Sequence, residues 1–289
     1  MKKISIIMGY YNRKPQLIKT LNQFSDLYKN YNFEVIITDD HSKNDHILDD
    51  IINNYKFKII LLKVLEKDWI NPCVAYNLAI RHISPETEFV VIQNPEIYHF
   101  TNILDTVLEK TKEGKYLIFP VFSTHSKAMT DSFLSDTVNA IDTMLKVDTF
   151  DNPIGVWLNH PTIRRHGLHF LNAMHINDLK KIGGFDNNYR KHVWYDDNEF
   201  LCRMKKITKL VFIPENKDIN KHTSIGLHQW HANTTSWSLF KNQTEYDAAK
   251  KMNEKRFLKL QGELRNNNDY NIYCDPKLDF KYNIKSNIE

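Results

Sequence analysis

Glycine is scarce in this chain, at 8 residues among 289, and proline accounts for only 9. That poverty excludes collagen-like repeats and Gly/Pro-rich disorder. No Gly-x-Gly-x-x-Gly or Walker phosphate loop occurs, which argues against a dinucleotide or ATP as ligand. Cysteine is scarcer still: Cys73, Cys202 and Cys274 lie far apart with no CxxC pair. So odd and sparse a count points to reduced thiols and a reducing, cytoplasmic compartment. No stretch approaches the ~20 apolar residues of a membrane span. The short apolar run at residues 4–8 leads into Tyr10, Asn12 and Arg13 and is too brief for a secretory leader. The expectation is a soluble protein without a transmembrane segment, still able to touch a membrane peripherally. A strong charge of one sign is missing too, since 39 Lys+Arg against 35 Asp+Glu leave +4. With no basic stripe among the aromatics, nucleic acid is not an expected partner, whereas small anions are.

What is present is an ordinary globular composition, 42% hydrophobic and 26% charged, long enough for one large α/β domain or two small ones. Apolar runs at residues 4–8, 33–38, 58–62, 89–92, 116–119 and 210–213 read as strands. Between them, helical spacing appears after Pro15 (Leu17, Ile18, Leu21, Phe24), over residues 47–52, 72–83 and 103–110, and again from Asp197 to Lys205. Strand–helix alternation predicts right-handed crossovers and a mainly parallel, Rossmann-like sheet flanked by helices. Residues 123–166 show little period and read as loops with short helices. Residues 1–235 are expected to form the main domain, and 236–289 a C-terminal helical and irregular extension whose last ~25 residues are a tail or edge piece.

Ligands of such sheets bind at the carboxyl ends of the strands. Three strands here end in polar clusters: Tyr10-Tyr11-Asn12-Arg13, Asp39-Asp40, and Gln93-Asn94-Pro95-Glu96. Asp39-Asp40 could equally be a turn or a helix cap. A fourth cluster, Gly183-Gly184-Phe185-Asp186 followed by Trp194-Tyr195-Asp196-Asp197-Asn198-Glu199 and Arg203, puts acids at a helix start. The free N–H groups and dipole favour negative charge there, and Glu199 can pair with Arg203 four residues on. A fifth is Gly226-Leu227-His228-Gln229-Trp230-His231. His166 and His169 beside Arg164-Arg165 read as a solvated loop.

Taken together, these elements resemble the family-2 type of GT-A glycosyltransferases from residue 4 to about 231. The resemblance implies a GT-A fold and transfer of a sugar from a nucleotide-diphosphate sugar, usually a UDP-sugar, to a hydroxyl acceptor such as a glycan, with inversion. It carries the general base onto Asp197, with Asp196 beside it. Asp40 would accept from the base, since a carboxylate suits the imide N–H of uracil, and Asp39 would support the loop. The family's D-x-D is altered here to Asn94-Pro95-Glu96, leaving Glu96 as the one strong hard-metal ligand. His228, then His231, would complete a site for Mn²⁺ or Mg²⁺ on the diphosphate. Asn77 stands where the family has A-R-N, but Tyr76 replaces the Arg. The nucleotide-sugar contacts implied are therefore Tyr10, Tyr11, Asn12, Arg13, Asp39, Asp40, Asn77 and Asn94. Trp157, Asn159, His160 and Asn172 are expected on the acceptor side. The altered acidic motif keeps one alternative open, a nucleotide-sugar-binding module that has lost transfer.

Overall fold

The computed structural model describes residues 2–215, 224–232, 239–260 and 280–288. Cys274 and most of the anticipated tail lie outside these. In chain order the elements are β1 (Lys3–Tyr10), α1 (Lys14–Leu27), β2 (Phe33–Asp39), β3 (Lys58–Val64), α2 (Cys73–Arg81), β4 (Thr87–Gln93), β5 (Ile97–His99), α3 (Ile103–Lys110), β6 (Lys115–Ile118) and β7 (Val121–Thr124). They continue with α4 (Lys127–Ser135), α5 (Thr137–Leu145), β8 (Asp151–Asn152), β9 (Gly155–Asn159), β10 (Leu171–His175), α6 (Ile176–Ile182), α7 (Asp196–Ile207), β11 (Lys209–Phe212), β12 (Gly226–His228), α8 (Gln243–Leu260) and β13 (Tyr282–Ser286).

Eight strands form the central sheet in the order β11-β6-β10-β4-β1-β2-β3-β13. The pairs β4–β1, β1–β2, β2–β3 and β11–β6 are parallel, while β10 and β13 run antiparallel to their neighbours. At the middle of the sheet both faces are buried, so β1, β2 and β4 are mainly apolar, and strand parity sorts their side chains. Ile4, Ile6, Met8 and Tyr10 join the core under α1 and α3, whereas Ile7 and Ile36 join the core under α2, α6 and α7. A smaller sheet, β5-β12-β7-β9-β8, packs against α4 and α5 around Trp157 and Phe122.

Two segments depart from the sequence expectation. Residues 47–52 are not a helix; short 3₁₀ turns at Asn44–His46 and Ile52–Asn54 replace it. Residues 123–166 hold the expected short helices, two of nine residues each, but also two strands of the small sheet in place of loop. Ser126 and Asp136 cap those helices, accepting from Met129 N and Asn139 N. The caps carried the helix signal that weak apolar periodicity hid.

Candidate active site

The strand ends surround a cavity of about 240 Å³ lined by Tyr11, Arg13, Asp40, Lys67, Tyr76 and Asn94 together with Gly9, Ile70, Pro72, Pro95, Glu96, His169 and Leu239. Asp40 stands just past β2, its backbone N–H donating to Tyr10 O at 2.8 Å. Its carboxylate accepts from Trp69 Nε1 (2.8 Å) and Lys67 Nζ (2.9 Å). Burial raises its pKa, and Lys67 and Trp69 pull the other way. Each carboxylate oxygen keeps a lone pair for a further donor. Lys67 also lies 4.6 Å above the Tyr11 ring, closing this end of the cavity with a cation and an aromatic face.

Glu96 follows β4 at the middle of the cavity. The register of β12 on β5 sets His228 opposite Ile97, and Gln229 N donates to Glu96 O at 3.1 Å. Glu96 Oε1 therefore faces two imidazoles, His228 Nε2 at 3.2 Å and His231 Nε2 at 3.4 Å. These three residues form the group able to hold a metal ion among the described residues. The other ring nitrogens are spoken for: His228 Nδ1 meets Ser123 Oγ at 3.2 Å and His231 Nδ1 meets Ala232 O at 3.2 Å. A carbonyl only accepts, so His231 Nδ1 donates there, which leaves Nε2 to meet Glu96 either as a second donor or, with a cation between them, as a ligand. Two imidazoles and a carboxylate so arranged call for a cation between them, and the donor set fits a divalent metal. Burial works to raise the Glu96 carboxyl, but bonding and attraction to the two histidines hold it well below the usual range. Arg13 adds positive charge; burial lowers its pKa and the attraction of Glu96 opposes that.

Beside the cavity, though not among the residues that line it, stands the acid pair that opens α7. Asp196 is buried, accepts from Asn71 Nδ2 at 2.8 Å on Oδ1, and has no hydrogen-bond partner at Oδ2. Asp197 is half-buried and accepts from Asn198 N at 2.7 Å. Burial pushes Asp196 up to about 6, helped by repulsion from Asp197, and burial pushes Asp197 to about 6 as well. Tyr76, whose pKa is raised chiefly by burial, also feels Glu96, Asp196 and Asp197, so the three acids share one neighbourhood around it. The approach to α7 is strained: Trp194 and Tyr195 hold φ of 68° and 69° without being glycine. Helix α8 holds them, through Tyr195 OH to Glu254 (2.9 Å), Trp194 Nε1 to Tyr246 OH (2.6 Å), and Asn253 Nδ2 to Tyr189 O, Val193 O and Trp194 O. Glu199 and Arg203 form the expected pair, two-pronged and buried at 2.6 and 2.7 Å.

The model of the family described as Glycosyl transferase family 2 matches residues 5–164, more than half of the chain. The chain belongs to that family. No curated protein matches this glycosyltransferase. Among solved structures it is similar to S. aureus TarS in complex with UDP-GlcNAc, at 14% identity and TM-score 0.50, over 92% of this chain and 68% of that one. It is also similar to GalNAc-T7 with UDP, GalNAc and Mn²⁺ (11%, TM-score 0.55, 80% and 44%). A third is the mannosyltransferase PcManGT from Pyrobaculum calidifontis with GDP-Man and Mn²⁺ (15%, TM-score 0.48, 93% and 72%). At such identities the likeness speaks to the fold, which is that of the GT-A glycosyltransferases.

The cavity of this family-2 glycosyltransferase thus gathers Tyr11, Arg13, Asp40, Asn94 and Glu96, with His228 and His231 on Glu96 and the acid pair around Tyr76. Four expected contacts stand elsewhere. Tyr10 has the parity of the α1 face, is fully buried, and donates to His46 O at 2.6 Å. Asn77 donates to Phe185 O and Asn187 Oδ1 and accepts from Phe185 N, which commits both its N–H donors to fastening α2 to the Gly-Gly-Phe-Asp turn. Asp39 accepts from Ser42 N, and Asn12 accepts from Lys43 N; both tie loops rather than line the cavity. Trp157, Asn159, His160 and Asn172 make internal contacts: Trp157 Nε1 donates to Val147 O, His160 Nδ1 accepts from Thr162 N, and both asparagines donate to Leu168 O while their Oδ1 atoms are without a hydrogen-bond partner. Conversely, Lys67, Trp69 and Asn71 carried no motif, and His169 belongs to the cavity rather than to a solvated loop. The Trp69–Asn71 stretch sits between a strand and Pro72, a loop position that only its contacts mark.

Proposed function

We propose that this glycosyltransferase moves a sugar from a UDP-sugar to a hydroxyl acceptor, such as a glycan, in a single inverting displacement. One observation carries the reading: the Asp40 carboxylate and Glu96 with its two imidazoles line one cleft at the strand ends, and the Asp196–Asp197 pair, raised to about 6, lies close enough to act on the Tyr76 wall of that cleft. Asp40 accepts from the imide N–H of the base while Lys67 and Trp69 keep its orientation. Glu96, His228 and His231 hold a divalent cation whose charge offsets that of the departing diphosphate; two imidazoles favour Mn²⁺ over Mg²⁺, and the presence of Mn²⁺ in the GalNAc-T7 structure is consistent with it. Asp197 takes the acceptor's proton as the hydroxyl oxygen bonds to the anomeric carbon and the bond to the diphosphate oxygen breaks, UDP leaving with that electron pair. A carboxylate whose pKa is raised toward the working pH is a better base than an ordinary one.

The test is a panel of UDP- and GDP-sugars with and without Mn²⁺, read as nucleotide release in the presence of glycan acceptors. Asp197→Asn is expected to slow turnover by roughly 10²–10⁴-fold while UDP affinity stays near wild type. Wild-type turnover by that variant removes Asp197 from the mechanism. Tight UDP binding by the wild-type chain with no release from any sugar nucleotide favours the second reading, a binding module, for which Asn94 in place of an acid is the specific motive.

A further inference from the structure

The lining of the cavity follows the order of the strands. Along β3-β2-β1-β4-β10 stand Lys67 after β3, Asp40 after β2, Tyr11 after β1, Asn94 and Glu96 after β4, and His169 just before β10. If the first end takes the base and the middle the diphosphate, the last position faces whatever lies beyond the second phosphate. That group is the sugar. We propose that His169 is a specificity-determining residue that reads a hydroxyl of the transferred sugar. This deepens the donor-site reading and rests on it.

Three features of His169 suit it to that contact. Its ring is wedged edge-on between Tyr76 (centroids 5.0 Å apart, 72°) and Phe185 (5.4 Å, 83°). Its backbone is pinned on both sides: Leu168 O accepts from Asn159 Nδ2 (3.2 Å) and Asn172 Nδ2 (2.7 Å), and Phe170 O accepts from Asn94 N (3.3 Å). A contact group held this rigidly loses little freedom when a ligand arrives. Its Nδ1 is buried and has no hydrogen-bond partner, a condition that native structures rarely leave unexplained. Burial lowers its pKa against the pull of Asp196, so the imidazole is neutral, with one donor and one acceptor nitrogen. A hydroxyl, itself donor and acceptor, can answer whichever of the two nitrogens faces it. A phosphate, which only accepts and prefers a cation, does not.

The experiment uses the full chain with His169→Ala and His169→Phe, the phenylalanine keeping a ring between Tyr76 and Phe185 without either hydrogen-bonding function in case the alanine variant is poorly folded. UDP affinity is measured by calorimetry. Donor kcat/KM is measured for UDP-sugar pairs that differ at one hydroxyl (UDP-glucose with UDP-galactose, and each with its N-acetyl counterpart). The expected result is a UDP Kd within about twofold of wild type, a fall of roughly 10–100-fold in kcat/KM for the preferred donor, and a shrinking epimer ratio. An unchanged epimer ratio in a variant that binds UDP overturns the inference and leaves the donor site standing. Equal losses for UDP and UDP-sugar also overturn it, making His169 structural. Failure of the wild-type chain to bind UDP or GDP at all defeats the donor-site reading, and this one with it.

Discussion

At the scale of single residues, function here turns on how lone pairs are shared out. Glu96 offers one oxygen to two imidazole nitrogens, so Glu96→Gln leaves the histidines without their negative partner. Mn²⁺ affinity by calorimetry should fall by at least the roughly 10–100-fold that loss of an outer-shell partner costs. UDP affinity without metal should hardly move. Asp197 gives a pH prediction whose sign is fixed by its raised pKa. The folded chain holds this proton more tightly than the unfolded chain, so the contribution to stability is present below about pH 4 and is lost as pH rises through about 6. Asp197→Asn, neutral throughout, should then be more stable than wild type at pH 7 and equal to it at pH 4. The gain should be on the order of 1–2 kcal/mol once partial exposure is allowed for. Thermal melts at the two pH values check it. Wild-type turnover runs oppositely and should rise with pH through the same region.

At the scale of elements, α7 delivers its acids only because α8 holds the strained residues before it. Asn253 is fully buried and donates to three carbonyls there, at 3.0–3.2 Å. Asn253→Ala strands those carbonyls, a loss of about 1–3 kcal/mol, measurable by urea unfolding. The backbone at Trp194 and Tyr195 is then free to relax, so kcat should drop several-fold with KM for the donor little changed. A fall in UDP affinity instead would mean that α8 supports the base end of the cavity. The Gly183-Gly184 pair serves the same assembly: Gly183, at φ 71°, ends α6 by donating to Leu179 O and Lys180 O. Those motif glycines are legible in sequence because their cause is local. Asn253 is not, since its partners lie some sixty residues away and α8 is otherwise a polar helix.

At the scale of the whole molecule, the chain closes on itself at the base end. Strand β13 pairs with β3 from Tyr282↔Val64 to Ser286↔Ile60. Leu65 N donates to Lys281 O at 2.9 Å, and Phe280 packs edge-on against Trp69 (4.8 Å between centroids), the residue that donates to Asp40. Deleting residues 280–289 should therefore lower the melting temperature, by baring the edge of β3, and also raise the donor KM several-fold with kcat nearly intact. An unchanged KM in a folded deletion variant would separate the strand from donor binding. No helix among the described residues is long and apolar enough to cross a membrane.

The sequence by itself determined six of the eight central strands (β1 to β4, β6 and β11), most of the helices between them, and the acids at the strand ends. These follow from local rules: a period of two or 3.6 in apolar side chains, and chain reversal where the apolar run stops. It also brought Asp40, Glu96, Asp197 and His228 into consideration as one set. Only the tertiary structure decided which of the polar residues keep free valence. Tyr10 falls to the α1 face by parity, and Asn77 is spent on Phe185 and Asn187. His169, which the sequence assigns to a solvated loop, comes to the cavity with its ring packed between the distant Tyr76 and Phe185. Hydrogen-bond capacity is finite, and its allocation depends on partners far along the chain, which no local pattern records.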